Sequence, residues 1–227
     1  MPAISTHRTR TLPDPARQDG GLTFLSTWST GTPERQQATL DAIAKAWESR
    51  PWPHEGLLSY TVYAGVDGST VMHRSQWRDD AAYQDFFASS GNGRDARNTD
   101  IDAAVPGIER LGLNKTRLYR SWTDGGGREG REPGAIVVAQ ADFEGPGDGR
   151  PRAWADAAIE ALDAGPADGR GLYAAHFHLS TDGGRVLNYA EWESEEAHAA
   201  QEGARDEARD GAVARYRFAY GFVPSKA

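Results

Sequence analysis

Residues 171–198, GLYAAHFHLSTDGGRVLNYAEWESEEAH, repeat a pattern already present at residues 56–83, GLLSYTVYAGVDGSTVMHRSQWRDDAAY. The offset is 115 positions (171 − 56), and the two stretches align without a gap. Gly56 falls on Gly171, Leu57 on Leu172, Asp67-Gly68 on Asp182-Gly183, Val71 on Val186, Trp77 on Trp192 and Ala82 on Ala197. A period this long is no solenoid, so the chain reads as two copies of one fold.

Each stretch reads as strand, turn, strand and the start of a helix. Asp-Gly between alternating runs fits a two-residue type I′ hairpin turn, and that turn sets the register. Leu58, Tyr60, Val62 and Ala64 then share a face with Val71, His73, Ser75 and Trp77. In the second copy the same face carries Tyr173, Ala175, Phe177 and Leu179 with Val186, Asn188, Ala190 and Trp192. This apolar face is expected to meet helices. The opposite, mixed face (Ser59, Thr61, Tyr63, Met72, Arg74 and Gln76; His176, His178, Leu187, Tyr189 and Glu191) suits packing on another sheet. His73 and Asn188 stand at matching places on the apolar face, each four residues before a Trp. A polar group there is either a satisfied core residue or the hydrogen-bonding group of an aromatic-walled pocket.

The rest of the chain extends the unit. Residues 1–20 carry Pro2, Pro13 and Pro15 and read as a mobile leader. Leu22–Ser29 is a first strand, and Thr32-Pro33 caps a helix with Leu40, Ile43 and Trp47 at helical spacing. After the hairpin, Asp79 or Asp80 starts a helix with Tyr83, Phe86 and Phe87, broken by Gly91-Asn92-Gly93. A helix over Asp95–Val105 and a strand over Lys115–Trp122 close the copy. Strand, helix, strand, strand, helix, strand is a ferredoxin-like α+β unit. Residues 123–134 read as a Gly-rich linker. Residues 135–227 repeat the unit, with loose loops at 144–151 and 163–171, a capped helix from Ser194 to about Arg209 and a last strand over Ala212–Val223.

Composition bounds the function. A chain of 227 residues, 38% hydrophobic, accommodates two domains of about 100 residues, 21–122 and 135–227. No apolar run has transmembrane length and no h-region follows Arg8 and Arg10, so neither a membrane nor secretion is expected. The absence of cysteine removes thiolate chemistry and fits a cytoplasmic protein. A net charge of −8 argues against nucleic acid as a partner.

The duplicated hairpin opening on Gly-Leu, the strand order and the Trp before an acidic helix start resemble the antibiotic biosynthesis monooxygenase family of the dimeric α+β-barrel superfamily. The resemblance spans roughly 21–122 and 135–224. It implies an α+β chain of two tandem ferredoxin-like domains whose antiparallel sheets form an intramolecular pseudo-dimeric α+β barrel, with a further homodimer open. It also implies a cofactor-independent oxygenase that takes an anthrone-type aromatic polyketide to a quinone with O₂, without metal or other cofactor. The family's pocket residues map onto Asn188, Trp192 and His198 in the second copy, where His198 replaces a Tyr. In the first copy they map onto His73, which replaces the Asn, and onto Trp77, Tyr83 and Arg97. Tyr60, Tyr173, Phe177 and Phe86 are the expected substrate contacts. A polyketide cyclase or isomerase, or a non-catalytic ligand-binding protein, is the alternative on the same fold. His176 and His178, two apart on one strand, form an incomplete metal set and read as hydrogen-bonded histidines. The haem-ligand position of related proteins is Phe87 in one copy and Glu202 in the other, which argues against haem.

Overall fold

The computed structural model of the chain describes residues 4–89, 93–126, 130–144, 149–165, 171–202 and 212–225. The chain divides into two compact units, Met1–Lys115 with Phe218–Ala227, and Thr116–Arg217. Among the described residues no helix is long and apolar enough to cross a membrane.

In the first unit, β1 (Thr6–Thr9) is followed by β2 (Leu22–Ser29), α1 (Pro33–Glu48), β3 (Leu57–Gly65), β4 (Thr70–Trp77), α2 (Asp80–Ala88) and α3 (Arg94–Ala104). Local chemistry explains the helix starts. Thr32 Oγ1 accepts from the Arg35 amide with Pro33 at the first helical turn, and Asp79 Oδ1 accepts from the Ala82 amide at 2.7 Å. β4 is the central strand, with β2 on one side and β3 on the other, both antiparallel. The helices bury Leu40, Ile43, Trp47, Phe86 and Ile101 against Leu22, Phe24, Val62, Val71 and Trp77. β5 (Glu109–Thr123) begins in this unit and β9 (Val213–Pro224) ends in it.

The hairpin register agrees with the expectation: Val62 faces His73 and Ala64 faces Val71. The turn type does not. Asp67 is not in the left-handed region, whereas Gly68 is, at φ +70°. Gly68 N–H donates to the Gly65 carbonyl, and Asp67 Oδ1 accepts from the Ser69 and Thr70 amides. A four-residue turn closed by a left-handed Gly keeps the same pairing as type I′, so the faces survive. Gly183, at φ +78°, plays the same part in the second copy. A bulge between Leu57 and Ser59 places Leu57, not Leu58, opposite Trp77, and the bulge between Leu172 and Ala174 does the same for Leu172 and Trp192.

The second unit holds the rest of β5, then β6 (Ala135–Asp142), α4 (Arg150–Ala164), β7 (Leu172–Ser180), β8 (Arg185–Trp192), α5 (Glu195–Glu202) and the start of β9. β8 pairs with β6 and β7, β5 pairs with β7, and β6 pairs with β9 over Ile136–Ala139. Its core gathers Ile159 and Leu162 of α4 with Val137, Phe177, Val186 and Trp192. The expected helix to about Arg209 is seen to Glu202; residues 203–211, like 91 and 92 of the expected break, lie outside the described residues.

Two expectations are corrected. The strands form one nine-stranded sheet, in the order β1-β9-β3-β4-β2-β5-β7-β8-β6, in place of the pseudo-dimeric barrel of two separate sheets. The α+β antiparallel class stands. The cause is strand length: β5 has 15 residues and β9 has 12, and no proline interrupts either before its last residue, so each contributes to both units. The N-terminal segment, read as a leader, is instead built into the first unit. β1 pairs with β9, Leu12 is buried, and the Pro13 and Asp14 carbonyls accept from Arg74 and Gln76. The polar groups of β4 thereby find backbone partners on their own chain.

The matched glycines at the hairpin openings have a steric reason. A Cβ on Gly56 would lie 2.3 Å from Ala82 Cβ, and one on Gly171 would lie 2.6 Å from Ala197 Cβ. Glycine and alanine are the same contact in both copies. Gly56→Ala is therefore expected to cost about 1–3 kcal/mol by overpacking. Gly112→Ala, which meets nothing within 4 Å, serves as the control in urea unfolding.

Candidate functional site

The first unit encloses a cavity of about 440 Å³ between its sheet and its helices. β2 supplies Phe24, Ser26 and Trp28, β3 supplies Leu57 and Tyr60, and β4 supplies His73, Ser75 and Trp77. Trp47 comes from α1, Tyr83, Phe86 and Phe87 from α2, and Arg94, Arg97, Asn98 and Ile101 from α3. Arg110, Gly112 and Leu113 of β5 complete the wall. All six of the first-copy residues expected in the site, Tyr60, His73, Trp77, Tyr83, Phe86 and Arg97, line this one space.

The walls are aromatic. Trp77 meets Tyr83 edge-on at 5.3 Å and Phe86 at 5.1 Å, and Phe24 lies 4.4 Å from Tyr83. Trp47 stacks on Tyr60 at 4.1 Å and carries the Arg97 guanidinium 4.7 Å over its ring. Arg97 Nη2 donates to the Pro51 carbonyl at 2.7 Å.

A hydrogen bond joins two residues of this wall. Tyr60 Oη lies 2.6 Å from His73 Nδ1, and the Trp47 ring stacks on Tyr60 at 4.1 Å. Burial keeps the phenol protonated, and that proton is donated to His73 Nδ1. Nε2 then carries the imidazole proton. That atom is buried and has no partner among the described residues. Trp28, 4.2 Å away, covers the imidazole. A buried donor without an acceptor costs free energy that a bound oxygen recovers.

Burial first, then the field of Arg110, holds His73 down to about 3, so it is neutral at pH 7. Burial, then Arg50, brings Arg97 down to about 10, with Tyr60 acting the other way, and Arg97 remains a cation. Burial also raises the Tyr60 and Tyr83 hydroxyls, which keep their protons. The His73 shift has a consequence for stability. Its folded value lies below the unfolded value of 6.5, so the unfolded chain binds the extra proton and stability falls as pH drops below 6.5. The contribution is about 2 kcal/mol between pH 6.5 and pH 5. Urea unfolding at the two pH values checks it, and His73→Phe should remove that part of the slope.

The second-copy residues occupy a different setting. Trp192 is buried and meets His198 edge-on at 4.9 Å, and Arg215 Nε donates to His198 Nδ1 at 3.0 Å. Phe177 is fully buried, 6.3 Å from Trp154. Asn188 Oδ1 and Trp192 Nε1 are buried without a hydrogen-bond partner among the described residues. Tyr173 is the bulge residue and carries Arg131 4.3 Å over its ring. His176 Nδ1 lies 2.8 Å from Ser121 Oγ, and His178 Nδ1 lies 3.4 Å from Thr116 Oγ1. Among the described residues no group of three or more metal-ligating side chains comes together.

Sequence reasoning missed Trp28, Trp47, Arg94 and Arg110 as parts of the cavity. Trp47 was visible as the last apolar residue of the α1 stripe. Arg110 was not, because 107–114 read as a connection, although Leu111 and Leu113 alternate there as in a strand.

No family model matches the chain, and no curated protein matches it in sequence. Solved structures do match. A protein called anthrone oxidase-like aligns over 90% of this chain and 93% of its own, at 20% identity and a TM-score of 0.64. A monooxygenase candidate from Fusobacterium nucleatum aligns over 93% of this chain and 100% of its own, at 9% identity and a TM-score of 0.55. Another from Lactobacillus acidophilus aligns over 90% and 96%, at 10% identity and a TM-score of 0.51. At these identities the likeness is one of fold: the chain carries the ferredoxin-like α+β fold of these proteins.

Proposed function

We propose that the chain is a cofactor-independent oxygenase whose first-unit cavity oxidises an anthrone-type aromatic polyketide to a quinone with O₂. The observation that carries this reading is the unpartnered N–H of neutral His73 in an aromatic-walled space that also holds the Arg97 cation. The anthrone oxidase-like name of one fold relative points to the same substrate class.

The chemistry follows from the substrate. Loss of a methylene proton to water makes an anthrone an aromatic phenolate. His73 Nε2–H and the field of Arg97 stabilise that oxygen, and Trp77, Phe24 and Phe86 hold the rings away from water. The electron-rich anion passes one electron to O₂, and the resulting radical and superoxide join at the same carbon. The peroxide formed takes a proton, for which the Tyr83 hydroxyl is placed in the wall. Loss of the remaining hydrogen at that carbon with O–O cleavage leaves the quinone carbonyl and water. Anthrone and O₂ thus give quinone and H₂O.

The test is oxygen uptake with emodinanthrone or dithranol after chelator treatment, with spontaneous oxidation subtracted. Enzyme-dependent uptake with stoichiometric quinone supports the proposal. Absence of uptake, with ligand-induced tryptophan quenching retained, would move the reading to a cyclase or a binding protein.

A further inference from the structure

The cavity lining carries more positive charge than a neutral anthrone needs. The chain has a net charge of −8. Yet the wall of the cavity contains Arg94, Arg97 and Arg110 and, among the described residues, no Asp or Glu. Arg97 is buried and serves the deep end beside Trp47 and Pro51. Arg94 and Arg110 belong to the rim. The Arg94 guanidinium lies 5.0 Å over Phe87, and that of Arg110 lies 4.8 Å over Trp28. Aromatic faces thus hold two forked donors at the edge of the space.

Their present partners are exposed. Arg94 pairs with Asp95 at 3.2 Å, and Arg110 meets both oxygens of Asp102 at 2.9 and 3.0 Å. Ion pairs in water contribute little, so exchanging the Arg110–Asp102 pair for a ligand carboxylate costs little. Beside them, Phe87 and Leu113 are 44% and 61% exposed. An apolar rim of this kind extends the ring-binding wall outward. A ligand whose rings fill the cavity would place a terminal acid at the rim, where it stays partly hydrated and avoids the desolvation of a buried charge.

We propose that the substrate is an aromatic acid: a fused-ring body that fills the cavity and a carboxylate taken by one of the exposed guanidiniums of its wall, Arg94 or Arg110. This rests on the cavity being the substrate site, but not on the reaction being an oxidation. Anthraquinone-2-carboxylate and the uncharged anthraquinone-2-carboxamide are the probes, titrated against the full chain by tryptophan quenching. The carboxylate should bind about tenfold more tightly at low salt, and the margin should shrink as salt rises. In the Arg94→Gln/Arg110→Gln variant the two affinities should come within about twofold, the carboxamide reporting any loss shared by both probes. Arg110→Lys should keep part of the preference. Equal affinities in the parent chain, a preference that persists in the double variant, or failure of both probes to bind would overturn the proposal. A carboxylate preference without oxygen uptake would refute the oxygenase and leave the aromatic-acid site standing. Uptake with neutral anthrones and no carboxylate preference would do the reverse.

Discussion

Replacing His73 by Phe is expected to lower enzyme-dependent anthrone oxidation by about 10²–10³-fold, the loss typical of a single oxyanion donor. Phe fills the space and removes the donor, so the aromatic wall and ligand quenching should survive. The comparison that gives the number meaning is Asn188→Ala. If oxidation belongs to the first unit, that variant should keep near-parental rates. A His73→Phe variant with full activity would remove His73 from the mechanism, and an inactive Asn188→Ala variant would move the reaction to the second unit. Oxygen uptake at saturating and limiting substrate separates lost binding from lost rate.

Trp47→Ala should have the largest effect on stability, about 3–5 kcal/mol. Trp47 stacks on Tyr60 at 4.1 Å and on Phe222 at 5.5 Å, packs 5.6 Å from Trp52, and lies under the Arg97 guanidinium. No neighbour fills that volume, because Tyr60 and Phe222 are held on β3 and β9. The same change removes the ring that stacks on Tyr60, so the phenol that partners His73 Nδ1 loses its support. Urea unfolding measures the first effect. Oxidation retained in Trp47→Phe, which keeps a stacking ring, and lost in Trp47→Ala isolates the second. A cost below about 1 kcal/mol for Trp47→Ala would mean that the site collapses around the gap.

Much of this was legible in the sequence, because it is written in residue periodicity. The repeat fixed the hairpins, and alternation placed His73 on the same face as Val62 and Val71, as the pairing of Val62 with His73 shows. Helix starts were readable from Thr32 and Asp79, since capping is local chemistry. The bulges at Leu57 and Leu172 were not, because one extra residue leaves no compositional mark. Tyr173, expected among the substrate contacts, is itself a bulge residue and carries Arg131 over its ring. The reach of β5 and β9 was hidden for another reason: strand length depends on which edges are open for pairing, which is a property of the whole fold. Nor did residue patterns give ground to prefer one copy. The structure shows what differs locally. Where the first copy has Tyr60 and Val62, the second has Ala175 and Phe177, so the phenol that holds His73 has no counterpart at the matching position.

The way the chain is threaded through the units bears on synthesis. Thr116–Arg217 is one uninterrupted segment, whereas the cavity-bearing unit is split between Met1–Lys115 and Phe218–Ala227. Tyr220 and Phe222, which pack in the core with Trp47, therefore leave the ribosome after the whole of the second unit. The unit started first is finished last, while the later one has all its residues in hand earlier. Until those two rings arrive, one side of Trp47 has no cover, and the nascent chain carries an unfinished apolar core through more than a hundred codons of translation.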